Sequence, residues 1–159
     1  MARNKNALRQ HFIQPYVKGE AYDEDGWLEL AEYISNIGLE PNEETEEEAF
    51  YDGDGTPEET VVSVARGYTP EGYFDPENEA QALIESLQDE VGDDRKVWHK
   101  IIRSDGKKQW IGRATVLNIV AGAGEAQNYE DFSCTIRFDE KPEVEDLGNG
   151  DGGGGGVEG

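Results

Sequence analysis

Residues 49–75 read AFYDGDGTPEETVVSVARGYTPEGYFD, and the fold turns on how this stretch divides. Tyr51, Asp52, Gly53, Asp54 and Gly55 make an acidic turn punctuated by glycine. Thr60 to Tyr68, TVVSVARGY, carries the β-branched content of a strand. Thr69-Pro70-Glu71-Gly72 then predicts a turn into Tyr73-Phe74. Asp75 and Pro76 suit the N-cap and first position of a helix, with Glu77 placed to complement its dipole. Ala80, Leu83, Ile84, Leu87 and Val91 continue it as one apolar stripe, and Gly92 ends it.

Upstream, Glu40 to Glu48 reads EPNEETEEE. Such a run repels itself and predicts a solvated loop, which with the glycine turn makes one long connection. Trp27 to Gly38, WLELAEYISNIG, places Trp27, Leu30, Ala31 and Ile34 at helical spacing without strand alternation. Residues 1–26 start basic, with Arg3, Lys5 and Arg9, and have no regular pattern; they read as a flexible N-terminal arm.

Downstream, Lys96 to Arg103 and Gln109 to Ala121 form a hairpin across Ser104-Asp105-Gly106-Lys107, since Asp-Gly is a tight-turn signal. In its second arm Ile111, Leu117 and Ile119 point one way and Trp110, Ala114, Val116 and Val120 the other. Asp131 to Asp139 alternates, with Phe132, Cys134, Ile136 and Phe138 inward and Ser133, Thr135 and Arg137 outward. After Lys141-Pro142 apolar content falls, and residues 146–159 read as a disordered glycine-rich tail. The expected fold is mainly β (α+β), a sandwich or barrel over residues 27–145 with one flanking helix and a long acidic loop.

The 159 residues suffice for one real core, and 15 aromatics supply surface worth burying despite a charged fraction of 31%. The net charge of -22 is unevenly spread. Glu20 to Asp94 holds 25 acidic residues and a single cation, Arg66. Arg95, Lys96, Lys100, Arg103, Lys107, Lys108 and Arg113 then follow with only Asp105 between them. Opposite blocks on one chain favour head-to-tail contact between copies, and the acidic balance opposes ordinary phosphate-backbone binding. Cys134 is the only cysteine and cannot close an internal disulfide. There is no signal-peptide pattern and no apolar run near about 18 residues, so neither export nor membrane insertion is expected.

No catalytic constellation, cofactor site or metal site is expected. Asp52, Asp54 and Glu58 fail the calcium-loop pattern because Thr56 and Pro57 stand where a ligand and a glycine are needed. His11 and His99 lack partners at metal-ligand spacing, Cys134 sits among apolar positions, and Gly122-x-Gly124 lacks the rest of a phosphate-cradling loop.

WLELAEYISNI, EPNEETEEEAFYDGDGTPEE, TVVSVARGYTPEGYFDPENEAQALI, GKKQWIGRATVLNI and FSCTIRFDEKPEV follow one another over roughly residues 25 to 145. In that order they resemble the major tail tube proteins of long-tailed, siphovirus-type bacteriophages, especially those of Gram-positive hosts. The resemblance implies a β-sandwich with a flanking helix, and a strand in 27–38. It implies a structural virion protein that stacks as hexameric rings into a hollow tail tube, an acidic conduit for genome ejection. Its partners would be other copies of itself and the tape measure, tail terminator and distal tail proteins. Viral DNA would pass without specific binding, and assembly would take place in the host bacterial cytoplasm. By the same resemblance Glu43, Glu44, Glu46, Glu47, Tyr51, Asp52 and Asp54 would belong to an assembly loop that reaches a neighbouring subunit. Arg95, Lys96, Lys100, Arg103, Lys107, Lys108 and Arg113 would offer that neighbour a basic surface. The alternative is an acidic DNA mimic that inhibits a nucleic-acid-binding partner, which leaves the basic segment unexplained.

Overall fold

Strands that alternate apolar and polar residues give a sheet one apolar face, and that face has to be covered. The computed structural model describes residues 5–48 and 55–147. In chain order the elements are β1 (Gln10–Pro15), β2 (Leu28–Glu29), β3 (Ile34–Glu40), β4 (Glu43–Glu48), β5 (Glu58–Val64) and β6 (Gly67–Tyr73). There follow α1 (Glu79–Ser86), β7 (Lys96–Ile102), β8 (Lys108–Ala121), β9 (Asp131–Phe138) and β10 (Glu143–Asp146). Eight strands form one antiparallel sheet in the order β2-β1-β7-β8-β9-β6-β3, with β10 pairing the start of β8. β4 and β5 form a hairpin of their own.

The sheet covers its apolar face by curling onto itself. β7, β8 and β9 separate β1 from β6, yet the His11 ring of β1 meets the Tyr68 ring of β6 edge-on at 5.1 Å. Likewise His99 of β7 stacks on Phe138 of β9 at 5.4 Å, over the top of β8. Ile13, Val97, Ile101, Ala114, Val116, Phe132 and Ile136 fill the space between, and α1 lies against β1, β2 and β8. The fold is thus mainly β with one helix and a curled sheet, as the alternation of β9 and the Asp105-Gly106 hairpin predict. Phe132, Cys134, Ile136 and Phe138 are all buried, and Gly106 takes the left-handed conformation of the turn at φ +74°.

Four local expectations are corrected. The segment read as an arm contains β1, which pairs with both β2 and β7 and buries Ile13 completely. The acidic run read as a loop is strand β4, held by backbone pairing to β5. The single strand expected over Thr60–Tyr68 breaks after Val64, because Asn42 and Ala65 close the root of the β4–β5 hairpin. There the Ala65 N–H donates to the Asn42 carbonyl at 3.1 Å, and the Asn42 side-chain amide donates back to the Ala65 carbonyl at 3.0 Å. Finally, the turn expected at Thr69–Gly72 is the body of β6. Proline is tolerated there because the β6–β9 register runs through Tyr68 and resumes only at Glu71. Gly72 answers a close approach instead, since a Cβ on it would collide with the Tyr33 carbonyl oxygen.

Within 27–38 the helical spacing is overridden and two strands form, β2 and the first part of β3. Between them Tyr33 takes φ +63°, a left-handed turn residue. The helix is real but shorter than residues 76–91. Asp75 accepts from the Glu77 N–H at 3.0 Å, while Asn78 is the N-cap, accepting from the Gln81 N–H at 3.1 Å. The helix ends at Ser86 with no basic residue in its last turn, ahead of Asp89 and Glu90, which oppose the negative end of the dipole. Val91, assigned to the stripe, is consequently 79% exposed. Gln81 is fully buried and ties the helix down: its amide donates to the Tyr73 carbonyl at 3.1 Å and accepts from the Asp75 N–H at 2.7 Å.

Inside the curl lies a buried imidazole pair on the adjacent strands β1 and β7, His11 Nδ1 and His99 Nε2 being 3.2 Å apart. Burial, with Arg9 beside it, brings His11 down to about 4. Burial, with His11 and Arg66 nearby, holds His99 well below the ordinary histidine value. As pH falls, unfolded histidines protonate first, near 6.5, so stability is full above that value. It should then drop by about 1.4 kcal/mol per pH unit for each histidine until the folded pair protonates. Melting temperature is therefore expected to fall by roughly 3 °C per unit per histidine between about pH 6.5 and 4. A flat melting profile across that interval would show that the pair is not held neutral. Gly72→Ala should lower unfolding free energy by about 1–3 kcal/mol in urea titration, through the collision with Tyr33.

Candidate assembly surface

A two-stranded hairpin lacks a third strand or a packed face, and alone in water it is marginal. The β4–β5 hairpin is of this kind, and its sequence adds two further costs. Its register sets Glu47 opposite Glu59, like charges directly across the ladder. Its apolar residues find no core either, since Val61, Val62 and Val64 are 51%, 51% and 54% exposed. What stabilises it locally is small: Asn42 at the root, and the Ser63 hydroxyl donating to Glu44 Oε1 at 2.6 Å.

The acidic residues expected to act in assembly are divided by the structure. Glu43, Glu44, Glu46 and Glu47 all lie on β4 and are exposed. Among the described residues none of these four is in an ion pair. Tyr51, Asp52 and Asp54 lie outside the described residues.

The seven expected cations do not form one free patch. Register places Lys96, Lys100 and Arg113 on one face of the β7–β8 pair, opposite Thr115, Ile111 and Trp98 respectively. Lys96 and Arg113 both donate to Asp139 Oδ2 at 2.8 Å, and the Thr115 hydroxyl donates to Oδ1 at 2.6 Å. Burial would raise the Asp139 carboxyl, but the bonds from Lys96, Thr115 and Arg113 outweigh it and hold the group below its ordinary value. Lys100 lies over the rings of Phe12 and Trp27 at 4.7 and 4.9 Å, and Arg103 is paired with Asp105 at 2.9 Å. Arg95 donates to the Glu90 carbonyl at 2.9 Å. Lys107 and Lys108 belong to the turn end of the hairpin, Lys108 lying 5.6 Å from the Trp110 ring.

Sequence reasoning passed over Arg66. Its guanidinium sits 5.3 Å from the Trp110 ring, 5.9 Å from Phe138 and 6.0 Å from Tyr68, at the root of the acidic hairpin. Its Nε is buried without a hydrogen-bond partner among the described residues. The available signal was its isolation, one cation between Glu20 and Asp94.

Burial pushes the Cys134 thiol up to about 12, so it is not an available nucleophile. Among the described residues no cluster of three or more histidine, cysteine or acidic side chains is arranged to hold a metal ion. No helix is long and apolar enough to cross a membrane among those residues.

No family model and no curated protein matches the sequence. Solved structures do match in fold. A chain in the virion of a native gene transfer agent particle has TM-score 0.65 at 11% identity, with 90% of this chain and 99% of that one covered. One in the tail of an empty gene transfer agent particle, determined with C6 symmetry, has TM-score 0.61 at 15% identity, covering 91% and 99%. A third, in the tube-terminating cap of the anti-feeding prophage, has TM-score 0.54 at 14% identity, covering 92% and 93%. At these identities the likeness is one of fold: a curled β sheet with a flanking helix, over nearly the whole of both chains.

Proposed function

We propose that this chain is a structural protein of a phage tail or related particle, and that its copies self-assemble into stacked rings forming a hollow tube. The observation that carries the reading is the β4–β5 hairpin, whose exposed valines and opposed glutamates call for a second surface. The fold likeness to chains from a gene transfer agent tail and a tube-terminating cap supports it. The C6 symmetry of the former tail makes the hexamer the ring order to test first.

A net charge of -22 suits a conduit for nucleic acid, since like charge keeps the polymer from adhering to the wall. Tape measure, terminator and distal tail proteins are the further partners such a tube would meet. The particle tail is where the protein would reside, and a Gram-positive host phage of the siphovirus type is the source the sequence resemblance favours. The chain's role is structural rather than enzymatic in this reading.

Because Asn42 and Ala65 are bonded to each other, a short glycine-serine linker can join them in place of residues 43–64 without disturbing the main sheet. Negative-stain electron microscopy of the purified protein over rising concentration should show rings or hollow tubes with a regular axial repeat. The linker variant should melt as a folded domain and form none. Tubes of full length from that variant would remove the hairpin from assembly. A wild-type protein that stays small at every concentration and captures a basic DNA-binding protein would support the DNA-mimic alternative instead.

A further inference from the structure

The unsatisfied hairpin has a complementary surface at its own root. A groove of about 380 Å³ is lined by Arg66, Trp110, Phe138, Lys141, Pro142 and Val144, with Glu140 beside them and Val64 at the hairpin end. Its floor is aromatic and apolar, and its two cations are Arg66 and Lys141. Arg66 is half-buried and stacked on rings, and among the described residues it is in no ion pair with a carboxylate, which leaves its charge for an incoming anion. Lys141 is exposed. The hairpin presents the converse chemistry: glutamates along β4, and Val61 and Val62 along β5.

Of the described hairpin residues only Val64, at its root, lines the groove of its own chain. Strands of this length carry its far end about 20 Å from the root. We infer that the β4–β5 hairpin of one copy seats in the Arg66–Trp110–Lys141 groove of a second copy, carboxylates against the two cations and valines over Trp110 and Val144. The inference rests on the tube reading for its biological setting and names the acceptor which that reading leaves open. The contact is heterologous, since donor and acceptor are different surfaces, and repetition closes a ring or extends a filament. Each copy seated this way places its own hairpin for the next.

The test uses two full-length variants that each keep one half of the contact. Glu46→Lys with Glu47→Lys reverses the hairpin and leaves the groove intact. Arg66→Glu with Lys141→Glu reverses the groove and leaves the hairpin intact. Arg66 also packs on three rings, so Lys141→Glu alone, at an exposed position, is run beside it. Each variant alone should associate roughly tenfold or more weakly than wild type in sedimentation velocity, from like-charge juxtaposition. Mixed, the two should co-assemble one-to-one into alternating rings or filaments that added salt dissociates, and a chain carrying both reversals should regain assembly. Groove variants that assemble like wild type would overturn the docking while the tube reading stands. Co-assembly of the mixture, with no hollow tubes from wild type, would uphold the docking and overturn the tube. Monomers in both experiments would overturn both.

Discussion

A broad antiparallel sheet with one apolar face either closes on that face or needs a partner to cover it. This chain closes, and the contacts between strands distant in the sheet order are what hold the closure. His11 against Tyr68 and His99 against Phe138 bridge across intervening strands. The two imidazoles in this bridge are a polar device in an apolar space. They share one hydrogen bond at 3.2 Å, which needs one of the two nitrogens to remain an acceptor, and burial holds both rings toward the neutral form; among the described residues His99 Nδ1 has no partner. α1 completes the enclosure, positioned by the buried Gln81 amide rather than by its apolar stripe alone.

Closure of the core has a consequence for the rest of the chain, which is that β4 and β5 are left outside it. The backbone leaves the sheet after Glu40, runs out and back, and rejoins at Gly67, with Asn42 and Ala65 fastening the neck. Everything that makes the main sheet stable is missing from the hairpin. Among the described residues it has no third strand, no buried side and no cation paired with Glu43, Glu44, Glu46 or Glu47. The cations that composition alone would assign to it are mostly occupied at home, Lys96 and Arg113 by Asp139, Arg103 by Asp105 and Lys100 by aromatic rings. A charge block in sequence is therefore a poor guide to a charged surface, whereas one isolated arginine on an aromatic floor is a better one.

Much of the main sheet was legible because its strands obey period two in isolation. β9 shows its inner face in Phe132, Cys134, Ile136 and Phe138, and the β7–β8 turn is announced by Asp105-Gly106. What escaped was decided by tertiary contact. β1 has no internal pattern because only His11 and Ile13, with Gln14, need to be buried, and pairing on both edges does the rest. Pro70 and Gly72 carry the signature of a turn, yet one falls at an interruption of the β6–β9 ladder and the other under the Tyr33 carbonyl. The glutamates of β4 hide a strand because backbone pairing with β5 overrides their repulsion. Of the candidate surface, the acidic hairpin could be located in sequence through its resemblance to tail tube proteins. The groove could not, since Arg66, Trp110 and Lys141 meet only after folding.

The central claim is that the β4–β5 hairpin is under-stabilised within one copy and stabilised by another. Amide hydrogen exchange at residues 43–47 and 58–64, compared between dilute monomer and assembled protein, measures this directly. The account predicts fast exchange through the hairpin in the monomer, against slow exchange in β7, β8 and β9, and marked slowing of the hairpin amides on assembly. Hairpin amides as well protected in the monomer as those of the main sheet, or unchanged on assembly, would contradict it.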